Sequence, residues 1–316
     1  MSARSIRPWE ARPPQLAAWR RPGWQGAARL SGLLALLAGG AAVGDALPPE
    51  LRCLERYYGV RGVGREGSYR AVLPDGRELA FADGKAKTAE QRLDDPDLKD
   101  IFAQRYPTGP IAPVTTPDFD PGRVRVDALF LARYGSPQSS GRGKDSIKDS
   151  VKDSIKDSID VVPFELFGKS LRVHRAVLPA FTRVRARLVA LCAEQPALRE
   201  FLDGLGGTFV VRNIAGTNRR SAHSYGVSLD INVKLSHYWR WQRPAAPLRW
   251  QNRIPQALVD AFEAEGFIWG GRWYHYDTMH FEYRPELLDP SCYSPTPVVP
   301  ASPAPANKSA PLPPGS

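Results

Sequence analysis

The sequence predicts an α+β fold, an antiparallel sheet with helices packed on it. Three stretches of the C-terminal half carry that expectation. Val177, Phe181, Val184, Leu188, Leu191 and Cys192 recur at helical spacing within 171–192, which predicts an amphipathic helix. Val227, Leu229, Ile231 and Val233 alternate with Ser228, Asp230 and Asn232, the period of a half-buried strand. Residues 268–273 and 279–283 read as two further strands joined by a turn.

The other elements follow in chain order. Residues 30–44 form an apolar run preceded by Arg20, Arg21 and Arg29, so 1–46 reads as a secretory signal peptide cut after Ala46. The alternative is an uncleaved anchor; once the signal is removed, no stable membrane span is expected. Residues 47–135 form an N-terminal region of mixed structure with no assignable role. In it, Pro74-Asp75-Gly76 between apolar runs marks a hairpin, 95–106 a short amphipathic helix, and 107–121 a loop. Residues 136–160 form a low-complexity linker, because KDSI-like tetrads at 144–160 drift around a helix by about 40° per unit and make no lasting apolar stripe. The main domain spans 161–290. Besides the elements above, it has a strand at Phe209-Val210-Val211 leading to Arg212 and a helix over 255–265, opened by Pro255 and closed before Gly266. Residues 291–316 are a Pro-rich tail, expected to be extended and disordered.

A length of 316 residues allows one good-sized domain with extensions, or two small ones. The net charge of +10 overstates the basicity of the folded part, since the leader holds six Arg against Glu10 and Asp45. No basic run interleaved with aromatics suggests a nucleic-acid partner. The three cysteines make no CxxC pair; Cys53 and Cys292 are the expected disulfide, leaving Cys192 as a core thiol on its helix.

Four of the five His fall between 223 and 280. With Asp230 and Asp277, they give the inventory of a catalytic zinc site: three protein ligands, one open position and a carboxylate to move protons. Strand parity puts Asp230 on the polar face of its strand, and His280 with Glu282 on one face of the last strand. Glu282 could then accept a hydrogen bond from a ligand imidazole. Gly226 can turn His223 back toward that face, and Asp277 must lie in the turn before His280. Spacing alone leaves His237 and His275 as rival ligands, while His174 reads as a helix-start or surface residue. The metal would sit on the open face of the sheet.

SxHxxGxxxD at 221–230, then a WGGxW segment and DxxHFE at 277–282, resembles the family of zinc D-alanyl-D-alanine carboxypeptidases and L-alanyl-D-glutamate endopeptidases. These enzymes cut the stem peptides of peptidoglycan. The resemblance covers about 161–289. It implies zinc held by His223, Asp230 and His280, with Asp277 as the catalytic carboxylate. Arg212 would stabilise the oxyanion, with Arg219 and Arg220 as close competitors. Asp277 stands where the carboxypeptidase branch usually has Glu, and with WGGRW this is more similar to the endopeptidase branch. The function implied is a periplasmic or secreted peptidase acting on peptidoglycan peptides, of endopeptidase or carboxypeptidase type. A non-catalytic, zinc-containing cell-wall-binding module is the alternative from another class; the carboxylate at 277 argues against it.

Overall fold

Helix α1 (Pro49–Tyr58) starts on a proline and stops at Gly59, whose φ of 72° closes it in the left-handed region. The computed structural model describes residues 46–65, 67–137, 159–243 and 247–294. The signal-peptide leader, the tetrad repeat except its last residues, and the Pro-rich tail from 295 lie outside the described residues.

Strands β1 (Arg61–Arg65), β2 (Ser68–Val72) and β3 (Glu78–Ala80) form an antiparallel meander. The turn between β2 and β3 is the expected one: Gly76 has φ 86°, and the Asp75 carboxylate accepts from the Arg77 backbone N–H at 3.0 Å. The helix expected over 95–106 is absent; only a 3-10 turn, Lys99–Phe102, forms there. A capped helix α2 (Ala89–Asp94) lies just before it, with Thr88 and Gln91 as a reciprocal capping box. Pro96 disfavours helical backbone at Asp95, so α2 cannot run on into that stretch. Residues 107–121 are irregular, as expected, and α3 (Asp127–Tyr134) follows.

Strands β4 (Val161–Leu166) and β5 (Lys169–His174) form a hairpin, and α4 (Leu178–Glu194) begins only after it. The helical periodicity from Leu171 therefore starts too early. Its first residues are strand, because Phe167 and Gly168 both adopt positive φ (48° and 81°) and turn the chain back in two residues. Gly168 is a turn residue, but the phenylalanine before it is not, so the pair lacks the usual composition of a two-residue hairpin turn. Cys192 is half-buried on α4 rather than in the core.

The central sheet is antiparallel in the order β6 (Leu205–Gly207), β7 (Ser228–Asn232), β9 (His280–Tyr283), β8 (Phe267–Trp269). The strand expected at 209–211 does not form. β7 already has β6 on that side, and Val210 runs past the sheet with its N–H on the His223 carbonyl at 3.2 Å. The β-propensity of Phe-Val-Val has no pleated neighbour to fit against. On one face of the sheet, α4 and α5 (Gln256–Glu263) pack through Phe181 against Phe267 at 4.8 Å and Phe262 stacked on Phe281 at 3.9 Å. The opposite face carries Asp230, His280 and Glu282.

A short helix α6 (Pro285–Leu288) and a 3-10 turn close the described chain. Cys53 on α1 is bonded to Cys292, as expected, at a sequence separation of 239. Tyr58 and Glu286 are hydrogen bonded at 2.9 Å beside that link, and the buried core runs continuously from Leu51 to Cys292. No helix among the described residues is long and apolar enough to cross a membrane.

Candidate metal centre

Asp230 and His280 are direct partners across β7 and β9, so both side chains rise from one spot on the open face. His223 reaches them from a 3-10 turn, Ala222–Tyr225, whose N–H is capped by Ser221. Gly226 ends that turn at φ 65°, and a Cβ there would lie 2.9 Å from the His174 backbone nitrogen. Only glycine satisfies both demands.

Three donor atoms converge. His223 Nε2 lies 3.2 Å from Asp230 Oδ1 and 3.3 Å from His280 Nδ1, and His280 Nδ1 lies 3.0 Å from Asp230 Oδ1. The other ring nitrogens face acceptors: His223 Nδ1 donates to the Thr208 carbonyl at 2.8 Å, and His280 Nε2 to Glu282 Oε2 at 3.3 Å. Both imidazoles therefore aim a lone pair inward, at a carboxylate oxygen and at each other. Such a trio needs a shared proton or a cation. His280 holds such a proton firmly: burial lowers its pKa, but hydrogen bonds to Asp230 and Glu282 overcome that and push it up to about 10.

A cation fits the spacing. Tetrahedral zinc with bonds of about 2.0–2.1 Å holds its ligand atoms about 3.3 Å apart, and the three observed separations are 3.0, 3.2 and 3.3 Å. The other His/Cys/carboxylate grouping among the described residues, Cys53, Asp289 and Cys292, has its sulfurs locked in the disulfide.

Asp277 lies in the turn before β9, as strand parity requires, held by its N–H on the Gly270 carbonyl at 3.0 Å. Its chain passes so close that a Cβ on Gly270 would sit 2.4 Å from the Asp277 carbonyl oxygen. The first glycine of the WGG segment thus makes room for this turn, while a Cβ on the second, Gly271, would strike the Trp269 ring. Asp277 Oδ1 is enclosed without a hydrogen-bond partner among the described residues, in the same 260 Å³ cavity as the three donors. Burial first, and the Asp230 carboxylate second, push the Asp277 carboxyl up to about 6.

Arg212 lines this cavity, exposed and with no side-chain hydrogen bond among the described residues. Arg219 lines it as well, and Arg220 does not. Neither rival histidine joins the three donors, although His275 lines the same cavity. His275 donates from Nδ1 to Asp120 at 2.6 Å, and His237 lies outside the cavity. His174 is buried, not at the surface, with Nε2 on the Tyr134 carbonyl at 3.0 Å.

Sequence reasoning missed a second layer that comes from 119–125. Arg125 donates from Nε to Glu282 Oε1 at 2.7 Å and from Nη2 to Oε2, a forked pair on the carboxylate that holds His280. Burial opposes ionisation of Glu282, yet Arg125 keeps its carboxyl well below the usual range. Arg123 pairs with Asp120 at 2.7 Å, and Asp120 also holds His275. A signal was present: in Gly-Arg-Val-Arg-Val, period two puts Arg123 and Arg125 on one side.

No curated protein and no solved structure matches the chain at a significant level. Residues 215–283, which hold His223, Asp230, Asp277 and His280, match the family described as D-alanyl-D-alanine carboxypeptidase, over the segment that carries both motifs.

Proposed function

We propose that the chain is a zinc-dependent endopeptidase of the L-alanyl-D-glutamate type, exported to the cell envelope, where it cuts peptidoglycan stem peptides. The observation that carries the reading is one cavity holding three converging donors and a carboxylate oxygen without a partner among the described residues. His223, Asp230 and His280 would hold the zinc. When bound, the metal supplies a Lewis acid that makes both water and the scissile carbonyl more reactive.

The chain's own residues do the rest. Asp277 accepts a proton from the attacking water and returns it to the leaving amine; a carboxyl raised toward neutrality suits both transfers. Arg212, which lines the same cavity, would stabilise the oxyanion, a contribution of about 3–4 kcal/mol for one such donor. Thr208 and Glu282 fix the two imidazoles in the ligating tautomer. The Cys53–Cys292 disulfide supports folding in an oxidising compartment, in keeping with export.

The endopeptidase branch is favoured by Asp at 277 with the WGGRW segment. The description of the matching family favours the second reading, a D-alanyl-D-alanine carboxypeptidase. Digestion of purified peptidoglycan with and without a chelator, read by mass spectrometry, separates them. Chelator-sensitive cleavage between L-Ala and D-Glu supports the first, and release of terminal D-Ala the second. Binding to the polymer with no metal-dependent product would sink both and leave a binding module.

A further inference from the structure

We propose that Arg219, with Arg123 beside it, binds the free α-carboxylate of the residue on the leaving side of the scissile bond. The site would thereby select stem peptides in which that group is not amidated. The inference rests on the peptidase reading above and adds a specificity residue to it.

Arg219 stands out among the cations of the cleft. The 260 Å³ site cavity adjoins two others of about 390 and 650 Å³, and Arg123 and Arg219 line all three. Apart from Arg212, which is exposed to solvent, the neighbouring guanidinium groups have fixed partners. Arg123 is on Asp120, Arg125 is on Glu282, and Arg240 donates to the Ala215 carbonyl. Among the described residues Arg219 has only Asp94, 3.3 Å from its Nε and itself 62% exposed, and that contact lacks hydrogen-bond geometry. Its Nε is enclosed and makes no hydrogen bond among the described residues. Burial, then the nearby Arg123, weaken its hold on its proton. A half-buried guanidinium among like charges, with an enclosed Nε and one exposed acid as counterion, is a site that an anion completes.

The substrate has such an anion in the right place. In the L-Ala–D-Glu bond, the leaving nitrogen belongs to D-Glu, whose chain continues through its γ-carboxyl. Its α-carboxylate is therefore free, on the carbon next to the scissile nitrogen. Terminal D-Ala presents the same group. A guanidinium in the cleft can take either as a forked pair, whereas the neutral amide of D-isoglutamine offers one acceptor oxygen and no charge. Arg123, from outside the matched segment, adds positive potential on the same wall.

The test uses the zinc-loaded full chain and two synthetic stem peptides that differ only in D-Glu or D-isoglutamine at the second position. The unmodified protein should show a KM about 10- to 100-fold higher for the amidated peptide, with similar kcat. Arg219→Gln should abolish that difference by raising KM for the acid peptide, and circular dichroism should show an unchanged fold. In parallel, calorimetry titrates the metal-free chain with the acidic and amidated product peptides. Tighter binding of the acidic product, lost in Arg219→Gln, supports the clamp even if turnover is absent. If neither peptide is cut, the peptidase reading falls and the titration alone decides the clamp. Equal KM and equal affinity for both forms, or a preference that survives Arg219→Gln, overturns the clamp and leaves the peptidase reading standing.

Discussion

Two stretches of chain surround one cavity and do different work. Residues 215–283 supply every converging donor, from His223 to His280, along with Asp277. Residues 119–125 supply no donor, yet they run beside 273–284 and fasten it repeatedly. The Phe119 carbonyl accepts from Tyr274 N–H at 2.8 Å, the Pro121 carbonyl from Trp273 Nε1 at 2.6 Å, and the Gly122 carbonyl from Arg284 at 2.9 Å. Asp120 takes His275, and Arg125 takes Glu282. A metal restricts which residues can stand at a ligand position, so the first stretch carries a motif. A strap restricts mainly where backbone carbonyls fall, so the second carries almost none.

The largest effects should come from the donor stretch. His223→Ala should abolish zinc retention, measured by elemental analysis after dialysis, and with it all hydrolysis. Asp277→Asn should keep zinc but lower kcat by about 10²- to 10⁴-fold, the usual worth of a positioned base. Zinc loss in Asp277→Asn, or full turnover in either variant, would break the division between donors and base.

Arg125→Ala tests the strap. It leaves Glu282 buried at 0% exposure without its main counter-charge, since the other one, Arg284, is 3.5 Å away and already on Glu286. Stripping one partner from a buried pair costs about 3–5 kcal/mol, which a denaturant melt would read. Loss of the group that orients a ligand His should weaken zinc by about 10- to 100-fold in a chelator competition. Arg125→Lys should recover much of the stability but less of the affinity, because an ammonium cannot fork onto the carboxylate. Unchanged zinc affinity in Arg125→Ala would make the strap a matter of folding alone.

How much of this was legible follows the same division. Alternation in 227–233 was enough to place Asp230 on the polar face, and the direct pairing of Asp230 with His280 bears that out. The turn that holds Asp277 was legible from an odd spacing. The β4–β5 hairpin was not, because its reversal rests on a phenylalanine at φ 48°, and apolar spacing ran unbroken into α4. The Arg125–Glu282 pair was out of reach for another reason. Its partners lie 157 residues apart, and any buried Arg–Glu pair would satisfy the same contact. Of the strap, only the alternating arginines left a trace.

The smallest effect on activity should come from the covalent tie. Cys53–Cys292 joins α1 to the turn after α6, so it fastens the N-terminal region to the end of the site domain. It closes a loop of 239 residues, and removing it releases the unfolded chain. Stability should fall by about 2–5 kcal/mol in Cys53→Ser/Cys292→Ser. The link lies at α1, whose residues line none of the three cavities around the donors. Hydrogen bonds from 119–125 also hold the site strands independently of it. Turnover below the melting transition should therefore stay within about twofold of the unmodified chain, while the melting temperature drops by several degrees. A large loss of kcat at low temperature would show that α1, and not the 119–125 strap alone, sets the geometry of the donors.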